Sequence, residues 1–516
     1  MDTAIARTCS CLLFMFGILI PVHLSAQALP DSRVALVIGN AAYATAPLSN
    51  SRNDARAMGV VLKELGFSVI ELLDASKEQM DQAIARTRDT LKDRRGVGML
   101  YYAGHGLQIE WHNFMVPVDA ALRSGRDIPM QTVDLQQVID AFKAAGTRMN
   151  IIVLDACRDN PFGATGRGTG LAQMDAPWGS FLAYATAPGN VAEDGAVEGG
   201  NSLYTHYLLQ ELKRTGARIE DVFKRVRLQV RQSTDGRQIP WESTSLEDEF
   251  YFDAKVKPEQ RPDEEERARQ SEEALSKEKS DWERIANSTS AKDLYDFLRK
   301  YPNGLIAELA QFRLDRIQKA RVQVQPSPNG IVPLPSGTNR YAKGDVIVLE
   351  RTDELAKEAR RVTLTVTHAD DDKVEMNGGS VVLDQMGGTL RNRFGTKSPA
   401  FVAAPAELSL GKRWRSAFTN TREDGEVSSN YWDSHVVALE TIQVPAGTFR
   451  VYKVERSGWA RHPGGRTIAM SGTLWIDPQT MMTVRNDLLF RSKSKVVEQS
   501  SDRLVELHRA PRPAQQ

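Results

Sequence analysis

Cysteine is almost absent from this 516-residue chain, with only 3, at positions 9, 11 and 157. So few thiols exclude a disulfide framework of the kind that holds small exported domains together. The 8 histidines show no His/Cys spacing of a zinc site. Excess charge is missing too: 66 basic side chains balance 66 acidic ones. No overall positive field marks a nucleic-acid partner. Long apolar runs are also lacking, and Leu12 to Leu19 is too short for a comfortable membrane span. What remains is ordinary globular material, 41% hydrophobic, in a chain long enough for two to four domains.

Arg7, the apolar run Leu12 to Leu19 and the small-x-small triplet Ala26-Gln27-Ala28 have the order of a secretory signal peptide over residues 1–28. Cys9 and Cys11 precede the apolar core, whereas a bacterial lipid-anchor cysteine would follow it. The expectation is cleavage near Ala28 and export to the periplasm or medium, with membrane attachment only if the leader stays uncleaved. Cys157 is then the sole cysteine of the mature protein. A lone cysteine is commonly a buried, inert thiol, so its surroundings decide.

Those surroundings alternate strand and helix from Arg33 to about Phe252. Val34 to Gly39, Phe67 to Leu73, Gly98 to Tyr102, Asn150 to Leu154 and Phe181 to Ala185 are apolar runs of strand length. Helical spacing fills Asn50–Leu65, Lys77–Leu91, Asp134–Ala145, 201–214 and 218–232, and a last strand is expected at Glu249–Phe252. This order implies a mostly parallel sheet covered on both faces. Two runs end in reactive side chains: Tyr101-Tyr102-Ala103-Gly104-His105-Gly106, and Ile151 to Leu154 followed by Asp155-Ala156-Cys157. Ligands of open α/β sheets bind outside the carboxyl ends of the strands, so an imidazole and a thiol there can share one crevice.

These residues resemble the caspase-like cysteine peptidases, in particular the bacterial and metacaspase-type branch. His105 and Cys157 lie 52 apart, close to the roughly 50 of caspases. Ala35 to Asn40 with Tyr43, Leu48 to Asp54, Asn113 to Asp119 and Tyr184 to Gly189 fit as well. The resemblance covers residues 31–253 and implies that Cys157 attacks the scissile carbonyl, with His105 moving the proton. It implies an oxyanion hole from the backbone N–H groups of Gly106 and Cys157. Gly104 and Gly106 are expected in a tight turn beside the substrate. Caspases read Gln-Ala-Cys where this chain reads Asp155-Ala156-Cys157. The resemblance to metacaspase-type enzymes pairs Asp155 with Asp54 in a pocket for Arg, and for Lys, before the scissile bond. Alternatives are that Asp54 caps a helix and that Asp155 is a structural acceptor.

Gly166 to Gly170 lacks the Lys-Ser/Thr ending of a phosphate loop and reads as a flexible loop. In the resembled family such loops are cut during activation, and Arg167 is the expected self-cleavage site. His112 and His206 are expected to be solvated. No metal site is expected, and no cofactor; Asp159, Glu193 and Asp194 form no calcium loop, so calcium activation stays open.

Residues 254–280 are dense in Glu, Lys and Arg and read as a charged linker or exposed helix. Residues 281–321 read as one helical pair broken at Pro302 and Gly304, and 322–338 as a Pro/Ser/Gly linker. From 339 to 510 the alternation turns to β, as in Val362 to Thr367, with Trp414, Trp432, Trp459 and Trp475 as core candidates. A sandwich or partial barrel that binds a protein partner is expected there. The fold class is thus α/β, with a parallel sheet flanked by helices, then a helical module and a mainly-β domain. The function reading is an exported, Arg-directed cysteine endopeptidase acting on peptides or proteins. Its alternatives are a catalytically silent scaffold and a thiol transpeptidase.

Overall fold

The computed structural model describes residues 32–511 apart from short gaps and the segments 158–170, 187–199, 254–263 and 319–340. The leader with Cys9 and Cys11, Arg167, the Gly166–Gly170 loop, Asp159, Glu193, Asp194 and the 322–338 linker lie outside the described residues.

The chain begins with β1 (Arg33–Gly39), α1 (Ser51–Glu64), β2 (Ser68–Leu73), α2 (Lys77–Leu91), β3 (Val97–Ile109) and β4 (His112–Met115). There follow α3 (Ile128–Gln131), β5 (Val133–Asp134), α4 (Leu135–Ala144), β6 (Met149–Cys157) and β7 (Ser180–Tyr184). α5 (Leu203–Leu212), α6 (Ile219–Ser233) and β8 (Trp241–Thr244) complete the unit. The sheet order is β2-β1-β3-β6-β7-β8, parallel up to β7 and antiparallel at β8. Its central strands are apolar on both faces because helices cover both. One face buries Ala35, Tyr101 and Val153 against α1, α5 and α6; the other buries Leu36, Leu100 and Ile152 against α2 and α4.

Two expectations change. The last strand forms at Trp241–Thr244 rather than Glu249–Phe252. The latter segment makes only a single bridge, Arg218 with Tyr251. Its Phe250 and Phe252 are instead drawn into the core, and the Arg33 guanidinium holds the carbonyls of Tyr251 and Phe252. The second change is at Gly104 and Gly106. β3 runs straight through His105 to Ile109, so no tight turn occurs there. Glycine is required by crowding instead. A Cβ at 104 would lie 2.6 Å from the Tyr102 hydroxyl and 2.7 Å from that of Tyr43. One at 106 would lie 2.7 Å from Leu171 Cδ2.

α7 (Glu264–Ile285), α8 (Ala291–Lys300) and α9 (Ala307–Gln318) come next. Much of the charged stretch is therefore helix. It is anchored by Leu275 and by Glu278, whose carboxylate accepts from the N–H groups of Leu305 and Ile306 at 2.7 Å each. Burial pushes that carboxyl up to about 6. α9 faces two cores. Ala310 and Leu314 pack with Leu294 and Leu298 of α8 and Leu228 of α6, whereas Phe312 enters the core of the following domain beside Trp414 and Tyr452. From α6, the buried Arg231 reaches Asp315 (2.5 Å) and Gln318 (2.8 Å) of α9.

The twelve strands from Val346 to His508 close into an antiparallel barrel. The first, Val346–Asp353, pairs with both the second and the last, Lys495–His508. The sheet is thus neither a sandwich nor a partial barrel. The four tryptophans named from the sequence are all buried.

Candidate active site

β3 and β6 run parallel with His105 in register with Cys157. The backbones that carry the imidazole and the thiol are therefore adjacent at the carboxyl end of the sheet. Cys157 is the last described residue before segment 158–170.

His105 is held on several sides. Its N–H donates to the Tyr43 hydroxyl at 3.0 Å, and its carbonyl accepts from the Tyr102 hydroxyl at 2.6 Å. The Tyr43 ring lies 4.4 Å from the imidazole. Burial pushes the Tyr43 phenol up to about 12, so it stays a neutral hydroxyl that passes the contact on to the Val116 carbonyl at 3.0 Å. Nε2 of His105 lies 2.7 Å from the carbonyl oxygen of Ala46. A carbonyl only accepts, so Nε2 carries the proton of the neutral ring and Nδ1 is the proton acceptor. Ala46 sits at φ 55, a left-handed conformation that a residue with Cβ adopts only under constraint. The constraint is the loop after β1. Asp74 accepts from the N–H groups of Ala41 and Ala42 and pairs with Arg52 at 3.2 Å. The Asn40 side chain ties the Ala75 N–H to the Val116 carbonyl. Ala46 is an orienting group that no residue pattern marks, since it acts through its backbone.

Asp155, two residues before Cys157 on β6, accepts from the hydroxyls of Ser202 (2.6 Å), Thr205 (2.7 Å) and Tyr101 (3.3 Å). Asp54 lies in the first turn of α1, where Asn50 is the N-cap residue, so it does not cap its own helix. Its carboxylate instead reaches across to accept the Ser202 N–H at 2.9 Å. Ser202 is the N-cap of α5, its hydroxyl also accepting from the Thr205 N–H. One serine thus joins both carboxylates at a helix N-terminus, where negative charge is favoured. Burial first, then the charge of Asp155, push the Asp54 carboxyl up to about 8. Burial and Asp155 likewise hold Tyr101 and Tyr204 well above the ordinary phenol range.

A carboxyl that ionises less readily folded than unfolded gives the native state an extra proton between about pH 4 and its raised value. Stability from this group is present below that window and lost as pH rises through it. Asp54→Asn keeps the acceptor for Ser202 but cannot ionise. The unaltered protein is expected to lose thermal stability between about pH 5 and 8, and this variant to lack that decline. An unchanged pH profile would remove Asp54 as its source.

His112 stands on β4, where it is exposed and 2.9 Å from Asp134. His206 is on α5 and contacts Gln210. Among the described residues, no three His, Cys, Asp or Glu side chains are grouped as a metal site would require.

The caspase domain family model matches residues 32–251. Residues 32–251 are a caspase-like domain. A 133-residue stretch, 26% of the chain, is 34% identical to the human mucosa-associated lymphoid tissue lymphoma translocation protein 1, and equally to its mouse homolog. The matched segment spans 16% of the length of each relative. The Drosophila initiator caspase Dronc aligns over 45% of this chain and 91% of its own, at 16% identity and a TM-score of 0.34. Residues 32–251 are less than half of the 516-residue chain, and the helices α7 to α9 and the barrel lie beyond them.

Proposed function

We propose that the caspase-like domain is a cysteine endopeptidase that cleaves after arginine and lysine. The observation that carries this reading is the meeting of Asp54 and Asp155 at Ser202, one strand position pair away from the thiol. Two carboxylates next to a nucleophile suit a basic side chain and repel an acidic one. An entering guanidinium would favour loss of the Asp54 proton, because an opposite charge favours the ionised form.

The reaction follows the usual thiol sequence. Cys157 gives its proton to Nδ1 of His105 and attacks the carbonyl carbon. The oxyanion is received by the backbone N–H groups of Gly106 and Cys157. The protonated imidazole then donates to the departing amine, leaving a thioester that water hydrolyses with His105 as base. The Ala46 carbonyl keeps the ring in the required tautomer throughout. Export by the N-terminal leader and self-cleavage at Arg167 complete the proposal. Terminal sequencing of the purified protein would then read Leu29 and Gly168.

The deciding experiment uses matched peptide reporters ending in Arg, Lys, Asp or Ala, under reducing conditions and with or without calcium. Cleavage after Arg and Lys alone is the expected result. Cleavage after Asp would keep the dyad and refute the acidic pocket. Silence on all four, with no covalent labelling of Cys157 by a thiol-reactive peptide, would leave a scaffold.

A further inference from the structure

The barrel contains a buried positive charge that the proposed peptidase reaction does not use. Side chains on register partners of neighbouring strands share a face of the sheet. Following the pairing around the barrel, one level of the inner face is Trp414, Ser434, Arg456, Gly472, Leu488 and Ser500. The neighbouring level carries Trp432 and Phe490. Arg456 is only 7% exposed. Its guanidinium lies over the rings of Trp432 (4.8 Å) and Phe401 (5.8 Å) and donates once, to Asn486 Oδ1 at 2.7 Å. Its buried Nε has no hydrogen-bond partner among the described residues.

No carboxylate among the described residues pairs with Arg456, and burial alone pushes its pKa down, to about 10. The acids on the same face are engaged elsewhere: Asp353, in register with Ser500, accepts from the N–H groups of Leu355 and Ala356 at 2.9 and 3.0 Å. Asp502, in register with Asn486, is paired with Arg351 at 2.6 Å. Glu498, in register with Phe490, is paired with Arg393 at 2.8 Å. Lys397, in register with Asn420, adds a second buried cation whose Nζ meets, among the described residues, Asn392 Oδ1 (2.7 Å) and the Gly395 carbonyl (3.1 Å). Among the described residues, neither Arg456 nor Lys397 is paired with a carboxylate.

A buried charge left uncompensated is costly, and replacing Arg456 by an apolar side chain of similar length would avoid that cost. The barrel instead makes room for it. A Cβ at Gly472, its cross-strand neighbour, would lie 3.2 Å from Arg456 Nε and 2.6 Å from the Asp487 carbonyl. A barrel of about eight strands already holds its own side chains or one small ligand, and this one has twelve. Beyond the guanidinium the wall is aromatic: Phe401 lies 5.3 Å from Phe418 and 6.1 Å from Trp432, and Trp432 lies 6.4 Å from Phe490.

We propose that the barrel lumen binds an amphiphilic monocarboxylate, with its acid group on Arg456 and its apolar body along Trp432, Phe401, Phe418 and Phe490. The flat fork of a guanidinium matches a carboxylate. The aromatic wall supplies the burial that holds an apolar chain or ring.

The test titrates the full-length protein with dansyl-aminoundecanoic acid and with its methyl ester, following dansyl emission and tryptophan quenching. The acid is expected to bind saturably with one site, and the ester at least about tenfold more weakly. R456M is expected to lose at least about tenfold in affinity for the acid. In the absence of probe, the double variant R456M/N486L is expected to melt at a higher temperature, since it removes the unpaired charge together with its one acceptor. Equal affinity for acid and ester, unchanged binding by R456M, or no saturable binding overturns the proposal. So does a lower melting temperature of a folded double variant, which would make Arg456 a structural member of the core. If the variants fail to fold, the acid-to-ester comparison on the unaltered protein decides alone.

Discussion

Replacing Asp155 with asparagine will lower cleavage after arginine by roughly two to three orders of magnitude while leaving alkylation of Cys157 by iodoacetamide unchanged. The first half follows from charge. Truncating one partner of a buried, hydrogen-bonded charge pair costs about 2–5 kcal/mol, and the substrate guanidinium would meet an uncharged amide. The second half follows from the hydrogen bonds. Asp155 is bound by hydroxyls of Ser202, Thr205 and Tyr101, and hydroxyls rotate to suit an amide as well as a carboxylate. None of those bonds leads to His105, so the thiol should keep its reactivity. The measurement is kcat/KM on an Arg reporter beside the alkylation rate. An equal fall in both would place Asp155 in the service of the nucleophile and sink its pocket role.

The second large effect is expected at the proposed dyad. Cys157→Ala is expected to reduce peptide cleavage to the background of the assay. His105→Ala should reduce it by about three to six orders of magnitude, the range over which members of a catalytic set act when removed singly. The histidine variant carries the sharper information. Without the imidazole, the pH profile of Cys157 alkylation should move to that of an ordinary thiol, near pH 8.5. An unshifted profile would mean that His105 does not govern the thiol, whatever the activity does.

The sheet was readable because strands buried on both faces show as unbroken apolar runs. Val34 to Ile38 and Ile151 to Leu154 do so, and each side of them is covered. The candidate residues His105 and Cys157 stand at the ends of such runs, and their register follows from the parallel pairing. What escaped was whatever acts without a distinctive side chain. Ala46 works through a carbonyl. Ser202 looks like any helix cap, and only the folded chain brings α1, β6 and α5 to it. Glu278 sits among other acids and lysines and is singled out by two N–H groups contributed from α9's start. Closure of the barrel was equally hidden. Alternation tells which face of a strand is inward, but the closing pair joins segments about 150 residues apart, such as Arg351 and Asp502.

α9 presents Phe312 to the barrel core, gives Ala310 and Leu314 to the helical core, and holds Arg231 of α6 through Asp315 and Gln318. A helix shared by two cores cannot melt without exposing both, so the energetic boundary between neighbours disappears at that point. The caspase-like domain, the helices and the barrel are accordingly expected to unfold in one cooperative step, and an excised fragment ending near Phe252 would expose Leu228 and strip Arg231 of its acceptors. A single calorimetric transition is the signature of this arrangement. It also restricts how the barrel could influence the caspase-like domain. A common core opposes swinging of one part against another, which favours small shifts carried along α9 into α6.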